Sequence, residues 1–267
     1  MPELPEVEVY RAAAQAVVGR TVAGVAVRDP RFVRGGVAPG ELASRVTGRR
    51  VTAARRRGKL LVLDLGGGRS PAVGGLRLGL RFGMTGRLLV DGAGPIERLL
   101  HSSGRAEPRW DRLVLRFVGD GELVVRDPRM LGGAVLDPDE DALGPDALTL
   151  TLAELATALD RSAAPLKARL LDQSKVAGIG NLVADELLWR SGLAPARRAG
   201  SLDEAERRRL ARAVPSTLRL LMRRGGSHTG DLMPARAPGG RCPRDGAELR
   251  RSTVGGRTTW WCPLHQH

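Results

Sequence analysis

A chain of 267 residues with 42% hydrophobic but only 3% aromatic residues has room for two or three small domains, with cores of Leu, Val and Ala rather than rings. A formal net charge of +14 points to a polyanionic partner, nucleic acid above all. The opening Met1-Pro2-Glu3-Leu4-Pro5-Glu6 lacks the basic and apolar stretches of a signal peptide, and no apolar run reaches the roughly 18 residues of a membrane span, so secretion and membrane insertion drop out and a cytoplasmic setting is expected.

Pro5 can open a helix, where its missing N–H costs nothing, and Val7, Tyr10, Ala14 and Val17 then recur at helical spacing up to Gly19. Residues 21–135 read mostly as strands. Leu76, Leu78, Leu80 and Phe82 alternate with other residues, as do Leu113, Leu115 and Phe117, and Gly119-Asp120-Gly121 ahead of Glu122-Leu123-Val124-Val125 marks a hairpin. Short strands with Gly-rich breaks predict a β-sandwich. The acidic, Pro-containing stretch 136–147 reads as a hinge. Helices follow. Thr151 with Glu154 fits a capping box ahead of a stripe of Leu152, Leu155 and Leu159, and Pro165 starts a second helix carrying Leu166 and Leu170. A third helix runs from Asn181 to Gly192. Ser201 with Glu204 fits another capping box, ahead of Leu210, Val214, Leu218 and Leu221. Beyond Gly225-Gly226 a Gly- and Pro-rich loop leads to the last 26 residues, which hold both cysteines, Cys242 and Cys262.

Removal of Met1 ahead of the small Pro2 would leave a secondary amine. An α-amino group titrates near pKa ~8, far below lysine, so a useful fraction is nucleophilic at neutral pH. Such an amine attacking a sugar C1′ forms an iminium directly, and Glu3, its neighbour in sequence, is placed to exchange protons. Lysines are rare in this Arg-rich chain: Lys59, Lys167 and Lys175 are the three. Lys59 follows Arg55-Arg56-Arg57-Gly58 and heads the apolar strand Leu60-Leu61-Val62-Leu63. In Gln173-Ser174-Lys175-Val176-Ala177-Gly178-Ile179-Gly180-Asn181, two glycines precede a helix start, where backbone N–H groups can approach a phosphate. Two cysteines make no disulfide framework, and Cys242 and Cys262, at either end of a C-terminal hairpin, leave a metal clip equally open. The same hairpin could also fold without metal around Trp260 and Trp261.

The start Met1-Pro2-Glu3-Leu4-Pro5-Glu6-Val7-Glu8 resembles the signature of the formamidopyrimidine-DNA glycosylase and endonuclease VIII family, and four further motifs agree in the family's order over nearly the whole chain. The resemblance implies Pro2 as nucleophile, Glu3 as its acid/base partner, and Lys59 on a backbone phosphate. Arg257, five residues before Cys262, would grip phosphates around the lesion. In Gly83-Met84-Thr85-Gly86 and Asp127-Pro128-Arg129-Met130-Leu131-Gly132, the side chains of Met84, Arg129 and Leu131 would fill the hole left by a flipped nucleotide. Leu131 stands where the purine-repair branch usually has Phe. Lys175 and Asn181 would contact DNA from a helix-two-turn-helix motif. Zinc would be held by Cys242, Asp245, Cys262 and His265, with Asp245 and His265 at positions where the family has cysteine and His267 as a substitute for His265.

The implied fold is a multidomain α+β one: an N-terminal β-sandwich with a leading catalytic helix over 1–135, a hinge over 136–150, a helix-two-turn-helix domain over 151–226, and a loop with a zinc-finger β-hairpin over 227–267. The implied activity is that of a monomeric, bifunctional DNA glycosylase and abasic-site lyase of base excision repair. It would act on double-stranded DNA carrying oxidised bases or abasic sites and nick by β,δ-elimination. Only 15 residues, Ser227 to Arg241, are available for a loop that would hold a flipped base, which tilts the expectation from 8-oxoguanine toward oxidised pyrimidines, ring-opened purines or abasic sites. A second reading stays open: a catalytically silent protein of the same fold that binds damaged DNA and forms no covalent adduct.

Overall fold

The computed structural model describes residues 2–67, 75–96, 99 and 107–267. They form two compact units, one of Pro2 and residues 6–140, the other of residues 3–5 and 141–267.

In the first unit, α1 (Leu4–Ala14) buries the predicted stripe of Val7, Tyr10 and Ala14, with Val17 just beyond it. Next come β1 (Val22–Val27), α2 (Pro39–Val46), β2 (Arg50–Arg57), β3 (Leu60–Gly66), β4 (Leu76–Arg81), β5 (Arg87–Val90), β6 (Asp111–Phe117), β7 (Glu122–Arg126) and β8 (Gly133–Leu136). Two four-stranded sheets result, ordered β1-β6-β7-β5 and β2-β3-β4-β8, antiparallel throughout. Every second residue points inward along a strand, so Leu78 and Leu80 from one sheet meet Leu113, Leu115, Leu123 and Val125 from the other in a single core. β3 departs from alternation: Leu60, Leu61, Val62 and Leu63 are all fully buried, so both of its faces are covered. The predicted hairpin is present, with Leu115 opposite Leu123.

The arginine run before Lys59 is less free than its charge suggests. Arg55 pairs with Asp64 at 2.7 Å and also with Glu140, and Arg56 pairs with Glu8 at 2.9 Å. Both guanidiniums are thereby partly neutralised within the sandwich.

The second unit holds α3 (Leu152–Leu159), α4 (Leu166–Leu171), α5 (Asn181–Ser191), α6 (Glu204–Arg223) and a hairpin of β9 (Arg250–Val254) and β10 (Arg257–Trp261). Thr151 and Glu154 form both halves of the predicted capping box, and Leu155 and Leu159 are buried as expected, but Leu152, at the first turn on the outer side of the helix, is exposed. The second box differs from the sequence expectation: Asp203 and Glu206 cap α6, not Ser201 and Glu204. Ser201 instead ends a 3-10 turn and donates its hydroxyl to the Arg198 carbonyl. The same polar-x-x-Glu spacing recurs two residues later with an aspartate, whose charge also suits the helix N-terminus. α5 stops at Gly192 in the left-handed conformation, as read from the sequence. Leu4 belongs to the helical core, with Leu166, Leu170, Ile179 and Val183. Among the described residues no helix is long and apolar enough to cross a membrane.

Candidate active site

Glu3 is fully buried at the start of α5. Its Oε1 accepts the Leu182 N–H at 2.9 Å and its Oε2 accepts the Val183 N–H at 3.1 Å. These donors belong to the first turn of α5, where the helix leaves N–H groups without intrahelical partners and favours negative charge. Both glycines of the Gly178-Ile179-Gly180 segment serve this contact. A Cβ on Gly180 would stand 2.2 Å from the Glu3 carboxyl carbon, and one on Gly178 would stand 2.4 Å from a Leu4 methyl. The sequence suggested that these glycines and this helix start admit a phosphate. In the structure Glu3 and Leu4 lie against these glycines, and the Glu3 carboxylate takes the Leu182 and Val183 N–H groups of that helix start.

Gly180→Ala should therefore push Glu3 out of its clasp. The expected cost is about 1–3 kcal/mol, the penalty for unpairing buried donors, and it is read as a fall in melting temperature. A variant that melts like the parent would show that the contact contributes nothing.

Asn181, the first residue of α5, donates its side-chain N–H to the Thr258 carbonyl on β10 at 3.1 Å, one residue from the exposed Arg257. A buried ion pair, which sequence reasoning missed, fixes the same strand. Lys167 on α4 and Asp185 on α5 are both fully buried and lie 2.6 Å apart. Lys167 also donates to the Thr259 hydroxyl at 2.8 Å and the Thr258 carbonyl at 3.1 Å. Asp185 takes the Trp260 N–H at 3.2 Å and the Arg236 guanidinium at 2.7 Å. Burial pulls the Lys167 pKa below the usual lysine range, against the pull of Asp185. Buried pairs of this kind fix an arrangement more than they add stability, and here the arrangement is the register of β10 against two helices. The rarity of lysine in the chain was the one available signal for Lys167.

Met84 is half-buried in the turn between β4 and β5, while Arg129 and Leu131 are exposed in the segment between β7 and β8. The two segments meet backbone to backbone: a Cβ on Gly83 would lie 2.4 Å from the Leu131 carbonyl carbon. Lys59 sits in the two-residue turn between β2 and β3, half-buried, and Lys175 is half-buried in the loop between α4 and α5. Pro2 is buried just ahead of α1.

Cys242, Asp245, Cys262 and His265 gather as the resemblance implied, with one ligand atom from each lying within 4.8 Å of the others. His265 Nδ1 is 3.7 Å from Cys242 Sγ and 2.6 Å from Asp245 Oδ2, and Cys262 Sγ is 3.2 Å from the same oxygen. His265 Nε2 faces the Trp189 carbonyl at 3.3 Å. A carbonyl can only accept, so Nε2 carries a hydrogen; Nδ1, which donates to Asp245 when no metal is bound, would present its lone pair to a metal in the cluster. His267 lies outside the cluster and is exposed. Burial alone would raise the Asp245 pKa, but hydrogen bonds from His265, the Ala247 N–H and the two thiols hold it well below the usual carboxylate range. Burial, with Asp245 and Cys242 alongside, pushes the Cys262 thiol up to about 11. Two sulfurs, an imidazole nitrogen and a carboxylate oxygen at these separations fit a four-coordinate zinc ion, whose charge would deprotonate the thiols. Trp260 packs in the core beneath the cluster, whereas Trp261 stays half-exposed beside Arg250.

Residues 1–134 match the family described as the formamidopyrimidine-DNA glycosylase N-terminal domain, and residues 142–232 match the formamidopyrimidine-DNA glycosylase H2TH domain. A relative named formamidopyrimidine-DNA glycosylase, from Cereibacter sphaeroides, is 39% identical over 246 residues, covering 88% of this chain and 83% of that one. Another of the same name, from Carboxydothermus hydrogenoformans, is 34% identical with 98% of each chain covered. Among solved structures, Lactococcus lactis Fpg in complex with abasic-site DNA matches with a TM-score of 0.81 at 26% identity, covering 100% of both chains. The same protein with DNA containing an oxidised pyrimidine matches with the same TM-score, identity and coverage.

Proposed function

This chain belongs to the formamidopyrimidine-DNA glycosylase family, and from that premise we propose that it is a DNA glycosylase of base excision repair that also nicks the strand at the site it has cleared. The observation that carries the reading is the clasp of Glu3 by the N-terminus of α5, one residue after Pro2. A negative charge is built and buried there, next in sequence to the amine that would act.

In the proposed reaction, the unprotonated Pro2 nitrogen attacks C1′ of an extruded nucleotide. The glycosidic bond breaks, and its electron pair leaves with the base, which takes up a proton. The nitrogen loses its own proton, its lone pair then expels the ring oxygen O4′, which takes up a proton as the C1′–O4′ bond breaks, and an iminium remains on the opened sugar. Glu3 enters as a carboxylate, since the α5 N–H groups and helix dipole favour that form, and so it serves as the proton acceptor. The iminium acidifies C2′–H. Loss of that proton expels the 3′ phosphate, and a second elimination expels the 5′ phosphate. Lys59, Lys175, Asn181 and Arg257 hold phosphates, and Met84, Arg129 and Leu131 fill the vacated stack. Positive charge supplies most of the sequence-independent affinity. Neighbouring structures that hold abasic-site and oxidised-pyrimidine DNA support duplexes with such lesions as the substrate class.

Zinc on Cys242, Asp245, Cys262 and His265 would be structural, tying the ends of the β9–β10 hairpin together. Metal analysis of the purified protein should find about one zinc per chain, and Asp245→Ala should lose most of it and melt earlier. Metal-free protein that melts with a cooperative transition unchanged by added zinc would contradict the assignment.

The function is tested with a panel of duplexes carrying single lesions, scored for base release and for nicking. Release followed by nicking on at least one oxidised base supports the enzyme. Tight binding across the panel without release supports the silent binder instead.

A further inference from the structure

The three side chains proposed to fill the vacated stack come from two separate segments, and both segments converge on one buried carboxylate. Asp127 is fully buried, and Thr85 is buried beside it. The Thr85 hydroxyl donates to Asp127 Oδ1 at 2.6 Å. The Arg129 N–H donates to the same oxygen at 3.2 Å, and the Gly132 N–H donates to Oδ2 at 2.8 Å. Asp127 therefore grips the segment of Arg129 and Leu131 at both ends and reaches across to the segment of Met84. Between these grips Met130 takes a φ of +54°, a conformation that a residue with a side chain adopts only when its surroundings impose it. The two backbones run so close here that a side chain at Gly83 would collide with the Leu131 carbonyl.

A wedge that opens a base stack works against several kcal/mol of stacking, so it must not yield. Arg129 and Leu131 are exposed and Met84 is only half-buried, so resistance to that load comes chiefly from the backbone. We infer that Asp127 and Thr85 are positioning residues that lock the two segments together, so that Met84, Arg129 and Leu131 enter the duplex as one unit. This rests on the glycosylase reading above for its functional half. Its structural half stands on the hydrogen bonds alone.

Asp127 variants risk failing to fold, because three donors would be left unpaired or misfaced. Thr85→Val removes only the link across, at nearly constant volume, and Thr85→Ser restores it. In the full-length protein without DNA, Thr85→Val should speed amide hydrogen exchange at Arg129 and Gly132 by roughly tenfold, although the change lies in the other segment. With DNA, its single-turnover release of a lesion base from duplex should slow about tenfold, while release of the same lesion from single-stranded DNA, which has no stack to open, should change less than about twofold. Thr85→Ser should return both readings to the parent values. Unchanged exchange at Arg129 and Gly132, or equal slowing on duplex and single strand, overturns the inference. If the parent protein releases no base at all, the glycosylase reading fails, and the exchange measurement still decides whether the segments are coupled.

Discussion

Protein that keeps Met1 in front of Pro2 is expected to bind duplex DNA as tightly as the processed form and yet release no base. With Met1 in place the nitrogen of Pro2 is a tertiary amide, with its lone pair delocalised into the peptide bond, and it cannot attack a carbon. Everything that holds phosphates stays intact. The loss should therefore fall on the chemical step alone, by at least about a thousandfold, the scale on which enzymes lose rate when a covalent nucleophile is removed. The comparison needs two preparations, one fully processed and one with the methionine retained, assayed by filter binding and by single-turnover base release. Equal rates in the two preparations would mean that the amine is not the nucleophile.

Glu3→Gln is expected to reduce base release by about 10²–10⁴-fold, the range for loss of a positioned proton acceptor. Glutamine has nearly the same shape, so the change is chiefly one of charge and donor pattern. One of the two carboxylate oxygens that now accept from Leu182 and Val183 would become an NH2 group facing an N–H donor. A modest stability loss accompanies the rate loss and must be measured beside it. Gly180→Ala separates the two causes, since it displaces an unaltered carboxylate. Should Glu3→Gln retain full rate while melting earlier, Glu3 would be a helix cap and nothing more.

Local chemistry was well written in the sequence. The α1 stripe of Val7, Tyr10 and Ala14, the β6–β7 hairpin, the Thr151 box and the stop at Gly192 each rest on a few adjacent residues, and the structure contains each of them. The Ser201 box failed because the same spacing offered a better cap two residues on. Contacts across large separations were not legible. Gly178 and Gly180 looked like a phosphate cradle, and only the position of Glu3 and Leu4 shows what they accommodate. The partners of Lys167 lie on α5 and β10, far away in sequence, so rarity could mark it without revealing its use. Asp127 stood inside a recognised motif, but its hydrogen bond to Thr85 spans two sheet connections. The charge total likewise overstated the free positive surface, since Arg55 and Arg56 are committed to carboxylates.

The most direct test of the account is to incubate the processed protein with abasic-site duplex in borohydride, digest the trapped complex, and locate the sugar remnant by mass spectrometry. The remnant should sit on the nitrogen of Pro2, in a peptide that begins with that residue. A remnant on Lys59, Lys167 or Lys175, or strand nicking with nothing trapped, would contradict it.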